Sequence, residues 1–188
     1  TNAAVFTAGS SLFHLDYRDA LAPRLGKLLT DLATPWGVVV DPLPPDRIYV
    51  SERDGNRVLA IELDSHGKLP VVVKTADMQL GTLDAPEALA LERHGSRMLI
   101  AMNAPGGGRQ LLGLDLGATG GNVSFPIGAP TVVDIPSVAT ASDELRLLCL
   151  PTSNELLVSG GIEQRRVITA HSTSTQDASV ELAFDPVP

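Results

Sequence analysis

The chain has 188 residues, of which 44% are hydrophobic and 19% are charged, with a formal net charge of −8 and one cysteine. No apolar run approaches the roughly 18 residues that a membrane helix needs, and the apolar content is too high for wholesale disorder. The basic residues are scattered, which is not the electrostatic footprint of a nucleic-acid-binding protein. One cysteine excludes an internal disulfide and a CxxC-type zinc site. We therefore expect one folded domain over residues 1–188, without membrane insertion and without a nucleic-acid partner.

Three short β-type runs open the chain, at residues 4–8, 12–16 and 27–30. The segment at residues 19–25 is interrupted by Pro23, which disfavours a helix, so we expect a loop there. The three runs match the second, third and fourth strands of a four-stranded unit whose first strand is missing.

The clearest unit follows, with strand-like runs at residues 35–41, 47–51, 57–62 and 70–74. These runs are rich in β-branched residues, and turns rich in Gly, Pro, Asn and Asp separate them. The pattern predicts an antiparallel four-stranded meander.

Two further units repeat this order. Ile48 and Met98 occupy equivalent positions about 50 residues apart, a normal spacing for propeller blades. The glycines at 106–108 join two strand-like runs, which favours a hairpin turn over a phosphate-binding loop. The predicted strands lie at residues 86–92, 97–101, 110–115 and 123–127, and then at 145–150, 155–159 and 166–170, with a degenerate fourth strand before Val180.

The end of the chain resembles the start of a unit, because residues 181–186 repeat the first-strand pattern of residues 38–42. A strand donated from the other terminus would cover the exposed edge of the opening unit. We therefore predict an all-β propeller of about four four-stranded antiparallel blades, closed by the N- and C-terminal strands, or else a fragment of a larger propeller. The predicted blades are residues 1–33 with 180–188, then 34–80, 81–130 and 131–179.

One stretch resembles the NHL repeat. It has Pro35 and Gly37 at the opening, Asp41 at the end of the first strand, Ile-Tyr-Val at 48–50 and Asn-Arg-Val at 56–58. The next unit keeps the proline and the strand spacing but loses the Asn-x-Arg signature. The resemblance implies a β-propeller, and propellers of this kind are mostly platforms that bind other proteins.

The repeat residues have structural explanations. Gly37 permits a close approach of backbones near the axis, and Asp41 can accept hydrogen bonds from the following turn. Arg57 is expected to pair with Asp41 or with a neighbouring acid.

A metal site is the alternative that related propellers suggest. Gluconolactonase-like propellers, which this chain resembles distantly, hold calcium or magnesium with an acid and Asn and Asp oxygens. Glu87 and Asn103 are the nearest candidates here, but no Asp completes the set, so we expect no metal and no other cofactor.

No complete catalytic constellation is present in the sequence. There is no Gly-x-Ser-x-Gly elbow, and the four histidines lack a recognisable partner pattern. Cys149 lies between two leucines and is expected to be a small buried hydrophobe. We therefore predict no catalytic residues.

The loops supply the candidate binding face. Turns project to solvent on a rigid scaffold and are free to carry recognition. Trp36, the only tryptophan, is either a platform for a ligand or, as we favour, a wedge between blades. The candidates for the binding face are Trp36, Glu52, Arg53, Asp54 and Arg109.

The sequence thus favours a non-catalytic protein-binding or structural scaffold module of the NHL-like propeller type. A metal-dependent lactonase or esterase of gluconolactonase type is the first alternative, and a segment of a large extracellular structural protein is the second. Asn122, Val123 and Ser124 fit the N-glycosylation pattern, which favours an extracellular location. Thr1 is not an initiator methionine and begins no signal peptide, so we expect a processed chain or part of a longer one or of a larger assembly.

Overall fold

A computed structural model shows an all-β fold of four antiparallel sheets. It describes residues 3–41, 46–64, 69–81, 83–92, 97–116, 129–133, 146–149, 155–162, 165–172 and 179–184. The first sheet has three strands, and the other three have four strands each, every sheet being an up-and-down meander in chain order.

The first two sheets contain the strands β1 Ala3–Ala8, β2 Ser11–Asp16 and β3 Arg24–Leu29, then β4 Pro35–Asp41, β5 Arg47–Glu52, β6 Arg57–Asp64 and β7 Val71–Asp77. The last two contain β8 Leu89–Leu91, β9 Arg97–Asn103, β10 Arg109–Asp115 and β11 Thr131–Val133, then β12 Arg146–Cys149, β13 Glu155–Ile162, β14 Arg165–Ser172 and β15 Ser179–Phe184.

Local sequence explains the hairpins. Pro35 stands at the first position of β4, where a missing N–H costs no central ladder bond. The β9–β10 connection carries three glycines at 106–108 with φ values of 95°, 101° and 82°, a left-handed region that other residues enter at a cost. The predicted hairpin is confirmed there, and residues 19–22 form a turn, as expected.

The sheets pack face to face in chain order, with one hydrophobic layer between each neighbouring pair. The layer between the first and second sheets holds Leu12, Ile48, Val50, Leu59 and Ile61. The layer between the second and third sheets holds Tyr49, Met78, Met98, Ile100 and Leu114, among others. The third layer packs Leu99 and Leu111 against Leu156 and Val158 of the last sheet. This serial packing of meanders is the arrangement of propeller blades.

The inner strands of the four sheets surround a central space. Residues of β1, β4, β8 and β12 line one cavity of about 340 Å³. β4, β8 and β12 are the first strands of their sheets. We call the face of the molecule at which these three strands begin the axial face.

The first sheet lacks its innermost strand among the described residues, as the sequence predicts. The backbone N–H of Leu32 donates to the carbonyl of Ser10, before β2, at 3.0 Å. In the second sheet the equivalent bond joins Met78 to Val58, at the start of the third strand, also at 3.0 Å. By this equivalence β1 occupies the position of a second strand.

The predicted closure by the C-terminal strand is wrong. β15 pairs antiparallel with β14, from His171 opposite Ser179 to Arg166 opposite Phe184, and is the outermost strand of the last sheet. A hairpin partner a few residues away costs much less loop-closure entropy than a partner at the other end of the chain. Residues 180–184 therefore belong to the fourth blade and not to the first.

One other predicted strand is displaced. The fourth strand of the third sheet is β11, which pairs with β10 at Leu111 opposite Val133, so this blade extends beyond residue 130. The run at residues 123–127, where we expected this strand, lies outside the described residues.

Candidate functional site

Two blades meet closely beside Gly37 at the start of β4. A side-chain carbon on Gly37 would lie 2.9 Å from the amide nitrogen of Leu89, 3.0 Å from Ser51 Oγ and still nearer the carbonyl oxygen of Glu87. The Gly37 N–H donates to Ser51 Oγ at 2.7 Å, and this hydroxyl donates to the Glu87 carbonyl. Gly37 thus serves close backbone approach, as its sequence position predicted, and Ser51 connects the second and third blades.

Glu87 lies just beyond this contact and is the centre of a buried charge cluster. Its side chain is fully buried, and Arg109 Nη1 lies 2.8 Å from Glu87 Oε1. Arg53 Nη2 lies 3.7 Å from the same oxygen. Arg109 also donates a hydrogen bond to Asn103 Oδ1. Neither carboxylate oxygen of Glu87 accepts an aligned hydrogen bond within the described part of the chain, so the Arg109 contact is an ion pair.

These neighbours do not suit a divalent metal at Glu87. The two predicted ligands, Glu87 and Asn103, do meet at one place, but the guanidinium of Arg109 contacts both of them. A metal cation at Glu87 would face the positive charges of Arg53 and Arg109. The described residues include no group of three or more His, Cys, Asp or Glu side chains placed to hold a metal ion.

Glu52 has a structural position that rules out contact with a partner in this conformation. Its side chain is fully buried, and Oε1 accepts the backbone N–H of Ala33 at 2.6 Å. Arg57 Nε donates to the other oxygen, Oε2. Arg57 therefore pairs with a neighbouring acid, one of the two partners that we expected, and Glu52 is removed from the candidate binding face.

The remaining candidates lie on the axial face. Asp54 is exposed within the β5–β6 turn, where Thr34 Oγ1 donates to it. The side chain of Arg53 is 33% exposed, whereas that of Arg109 is only 12% exposed. Arg53 is thus the more accessible cation, and Arg109 mainly neutralises Glu87.

Trp36 lines the central cavity, beside residues of the other blades. The Arg53 guanidinium lies 5.5 Å from the centroid of the Trp36 ring system, and the Arg146 guanidinium lies 5.3 Å from it. Such cation–π contacts orient both guanidinium groups. The indole Nε1–H is buried and finds no acceptor within the described ranges. The side chains therefore offer cations and an unused donor at one place.

Two titratable groups on the first blade are perturbed but lie away from this face. Arg18 donates three side-chain hydrogen bonds to Asp16 and holds the pKa of Asp16 at about 2. Burial lowers the pKa of His14. Both residues lie on β2 or beside it, so we assign them to local structure.

Sequence reasoning missed Arg146 and Ser51. Arg146 lies on a strand about 110 residues after Trp36 in the chain, and no local sequence pattern predicts the contact between them. Ser51 ends a predicted strand, and only its closeness to Gly37 across the sheet shows its role. The glycosylation pattern at Asn122 lies outside the described residues.

Comparison with known proteins supports the fold and nothing finer. No protein-family model matches the chain, and no curated protein matches it in sequence. Among solved structures, a chain of a nidogen/laminin complex superposes with a TM-score of 0.63 at 11% identity, over 95% of this chain and 59% of that one. A catalytically inactive virginiamycin B lyase from Staphylococcus aureus, solved with quinupristin, gives 0.55 at 17% identity, over 99% and 53%. A candidate 6-phosphogluconolactonase from Bacteroides uniformis gives 0.53 at 12%, over 95% and 55%.

These neighbours are β-propeller-like proteins, and the predicted all-β propeller is thereby confirmed. The chain spans just over half the length of the solved chains that it matches. None of the described residues forms a helix long and apolar enough to cross a membrane.

Proposed function

We propose that this propeller is a non-catalytic, protein-binding module of the NHL-like kind, which recognises its partner through the axial face. The residues that contact the partner would be Trp36, Arg53 and Asp54, and Arg109 would neutralise the buried Glu87 behind them. The repeat features at Pro35, Gly37 and the Asn-Arg-Val segment at 56–58 support the NHL-like assignment.

The observation that carries this proposal is the position of Trp36. A large aromatic ring lines an open cavity and is contacted by two arginines, at 5.5 and 5.3 Å. Tryptophan and arginine are the residue types most enriched among the energetically dominant positions of protein interfaces. The blades beneath hold the ring in place, so little conformational entropy is lost when a partner binds.

The buried charge cluster supports binding over metal-dependent hydrolysis. Glu87 is neutralised by Arg109 and approached by Arg53. The likeness to a candidate lactonase is a likeness of fold alone at 12% identity.

The test replaces axial side chains and follows partners that copurify with the protein from its natural source. Arg53→Ser with Asp54→Gly alters the β5–β6 turn but keeps Glu52, whose buried carboxylate the fold needs. We expect this variant to lose partners while its melting temperature stays close to that of the parent. A matched control, Val71→Ser, changes an exposed residue of the outer strand β7, which is 63% exposed, and should retain them.

Two results would contradict the proposal. One is retention of every partner by the axial variant. The other is hydrolysis of a panel of lactones and esters well above background by the purified parent protein.

A further inference from the structure

Positive charge is concentrated around Trp36, although the chain as a whole carries a net charge of −8. The guanidinium groups of Arg53 and Arg146 both lie over the ring, and Arg146 is exposed. Arg109 adds a third cation nearby, and the described acids of this region include Glu87, which is fully buried, and Asp54, which is exposed. Three guanidinium groups of the described residues therefore lie at this point of the axial face.

The cavity beside these cations is large enough to admit an acidic side chain and has a lining that suits one. Its volume of about 340 Å³ lies near the lower end of the range for ligand pockets, roughly 300 to 1,000 Å³. Trp36 and Arg146 form the polar part of the lining, and Phe6, Val38 and Leu89 form apolar walls. The apolar walls suit the methylene stem of an Asp or Glu side chain, and the polar part suits its head group.

The unused indole donor strengthens this reading. Trp36 Nε1 is buried without an acceptor among the described residues, and an indole N–H can only donate. A carboxylate accepts several hydrogen bonds, and pairing with arginine gives charge-assisted bonds that are stronger than neutral ones. A carboxylate in the cavity would therefore give the Trp36 indole N–H an acceptor, which it lacks among the described residues, and would lie beside the Arg146 guanidinium.

We propose that the cavity lined by Trp36 and Arg146 binds a carboxylate side chain of an acidic peptide segment. This inference rests on the proposed function and deepens it, because it states the chemistry of the partner. Arg146 and the indole N–H would bind the head group, and Arg53 would add attraction from the turn above. Salt should weaken the binding, because both cations are partly accessible to solvent.

The single tryptophan makes the test direct, since all indole fluorescence comes from the site itself. The probe is a capped Gly-Asp-Gly-Asp-Gly peptide, and its matched control is the Gly-Asn-Gly-Asn-Gly peptide. We expect a saturable change of fluorescence with the Asp peptide alone. The dissociation constant should rise at least about tenfold in Arg146→Met, the loss of one charge-assisted contact of about 1.4 kcal/mol, and by a smaller factor in Arg53→Met, which removes only attraction from the turn.

Lys27→Met is the control for removal of a cation that lies over an aromatic ring elsewhere. Lys27 Nζ lies 5.5 Å from the ring centroid of Phe13, on the first blade, and its loss should leave peptide binding unchanged. Circular dichroism of each variant establishes that it is folded before its binding is compared.

Several outcomes would overturn the inference. These are equal binding of the Asn peptide, unchanged affinity in Arg146→Met, and equal weakening in Lys27→Met. Saturation by sodium acetate at the same concentration as the Asp peptide would show a site for small free carboxylates, which contradicts a peptide ligand. If copurifying partners depend on the axial turn while the Asp peptide does not bind, this inference fails and the proposed function stands. If the Asp peptide binds but no partner depends on the turn, the proposed function fails alone.

Discussion

Replacing Gly37 by alanine tests the close contact on which the axial face is built. The added methyl group would lie within 3.0 Å of Ser51 Oγ and nearer still to backbone atoms of the third blade. Backbone cannot rotate away as a flexible side chain can, so the blades must separate. Overpacking of this kind costs about 1 to 3 kcal/mol, and weakening of the Ser51 hydrogen bonds adds about 1 kcal/mol. We expect a total loss of about 2 to 4 kcal/mol in the free energy of unfolding.

Gly26→Ala is the matched control, because Gly26 also lies within a strand and neither glycine has a positive φ. A methyl group there would lie 3.5 Å from a methyl carbon of Leu69, an ordinary van der Waals contact. Alanine also removes the entropic cost of a strand glycine, about 0.5 to 1 kcal/mol, so stability should be unchanged or slightly higher.

Thermal and urea unfolding measure both variants. For a domain of this size, 1 kcal/mol corresponds to about 2 to 4 °C, so Gly37→Ala should melt about 5 to 15 °C lower than the parent. A melting temperature within about 2 °C of the parent would refute the close-contact reasoning. So would an equal loss in Gly26→Ala, because that would trace the effect to strands in general.

The charged groups give three further predictions. Glu87→Gln should destabilise the fold by about 3 kcal/mol, because Arg109 then stays largely buried without its acid; unfolding in urea measures this, and an unchanged midpoint would contradict the buried ion pair. Calcium should not raise the melting temperature of the parent, since a ligand that binds only the native state would do so in a concentration-dependent way. Asp16 has a pKa of about 2 when folded, below its usual 3.8, so its contribution to stability is present above pH 4 or so and is lost as the pH falls towards 2. Arg18→Met should bring this pKa back towards the usual value in an NMR titration, and a pKa that stays near 2 would exclude Arg18 as its cause.

The meanders were predictable because their signals are local. Alternating β-branched runs and turn residues fix hairpins between neighbouring segments, and the unit at residues 35–74 matches β4 to β7 closely. The glycine turn at 106–108 and the close approach at Gly37 follow from the absence of a side chain. The layers between blades also follow, because the strands had to bury their apolar faces.

The pairing of the last strand was not predictable from its own residues. Residues 181–186 resemble a first strand. However, a strand can form the backbone hydrogen bonds of a ladder equally well as the inner strand of the first blade or as the outer strand of the fourth. The local hairpin with β14 is the outcome that the structure shows.

The charge contacts of the site were beyond sequence reasoning for a similar reason. Glu87 and Asn103 were identified as candidate metal ligands, but whether Arg109 or a metal neutralises Glu87 depends on side-chain positions across a hairpin. Glu52 looked like a turn residue open to solvent, yet its buried oxygens bind Ala33 and Arg57. The contact of Arg146 with Trp36 joins the second and fourth blades, and only the packing of the blades brings them together.

The measurement that tests binding at the axial face most directly is the indole N–H resonance of Trp36 in an ¹⁵N-labelled chain, recorded with and without a purified partner protein. The single tryptophan gives a single indole signal, so no assignment is ambiguous. We expect this signal to shift or broaden in proportion to the bound fraction, while amide signals of the outer strand β7 stay in place. An unchanged indole signal, with shifts confined to the outer strands, would contradict recognition through the axial face.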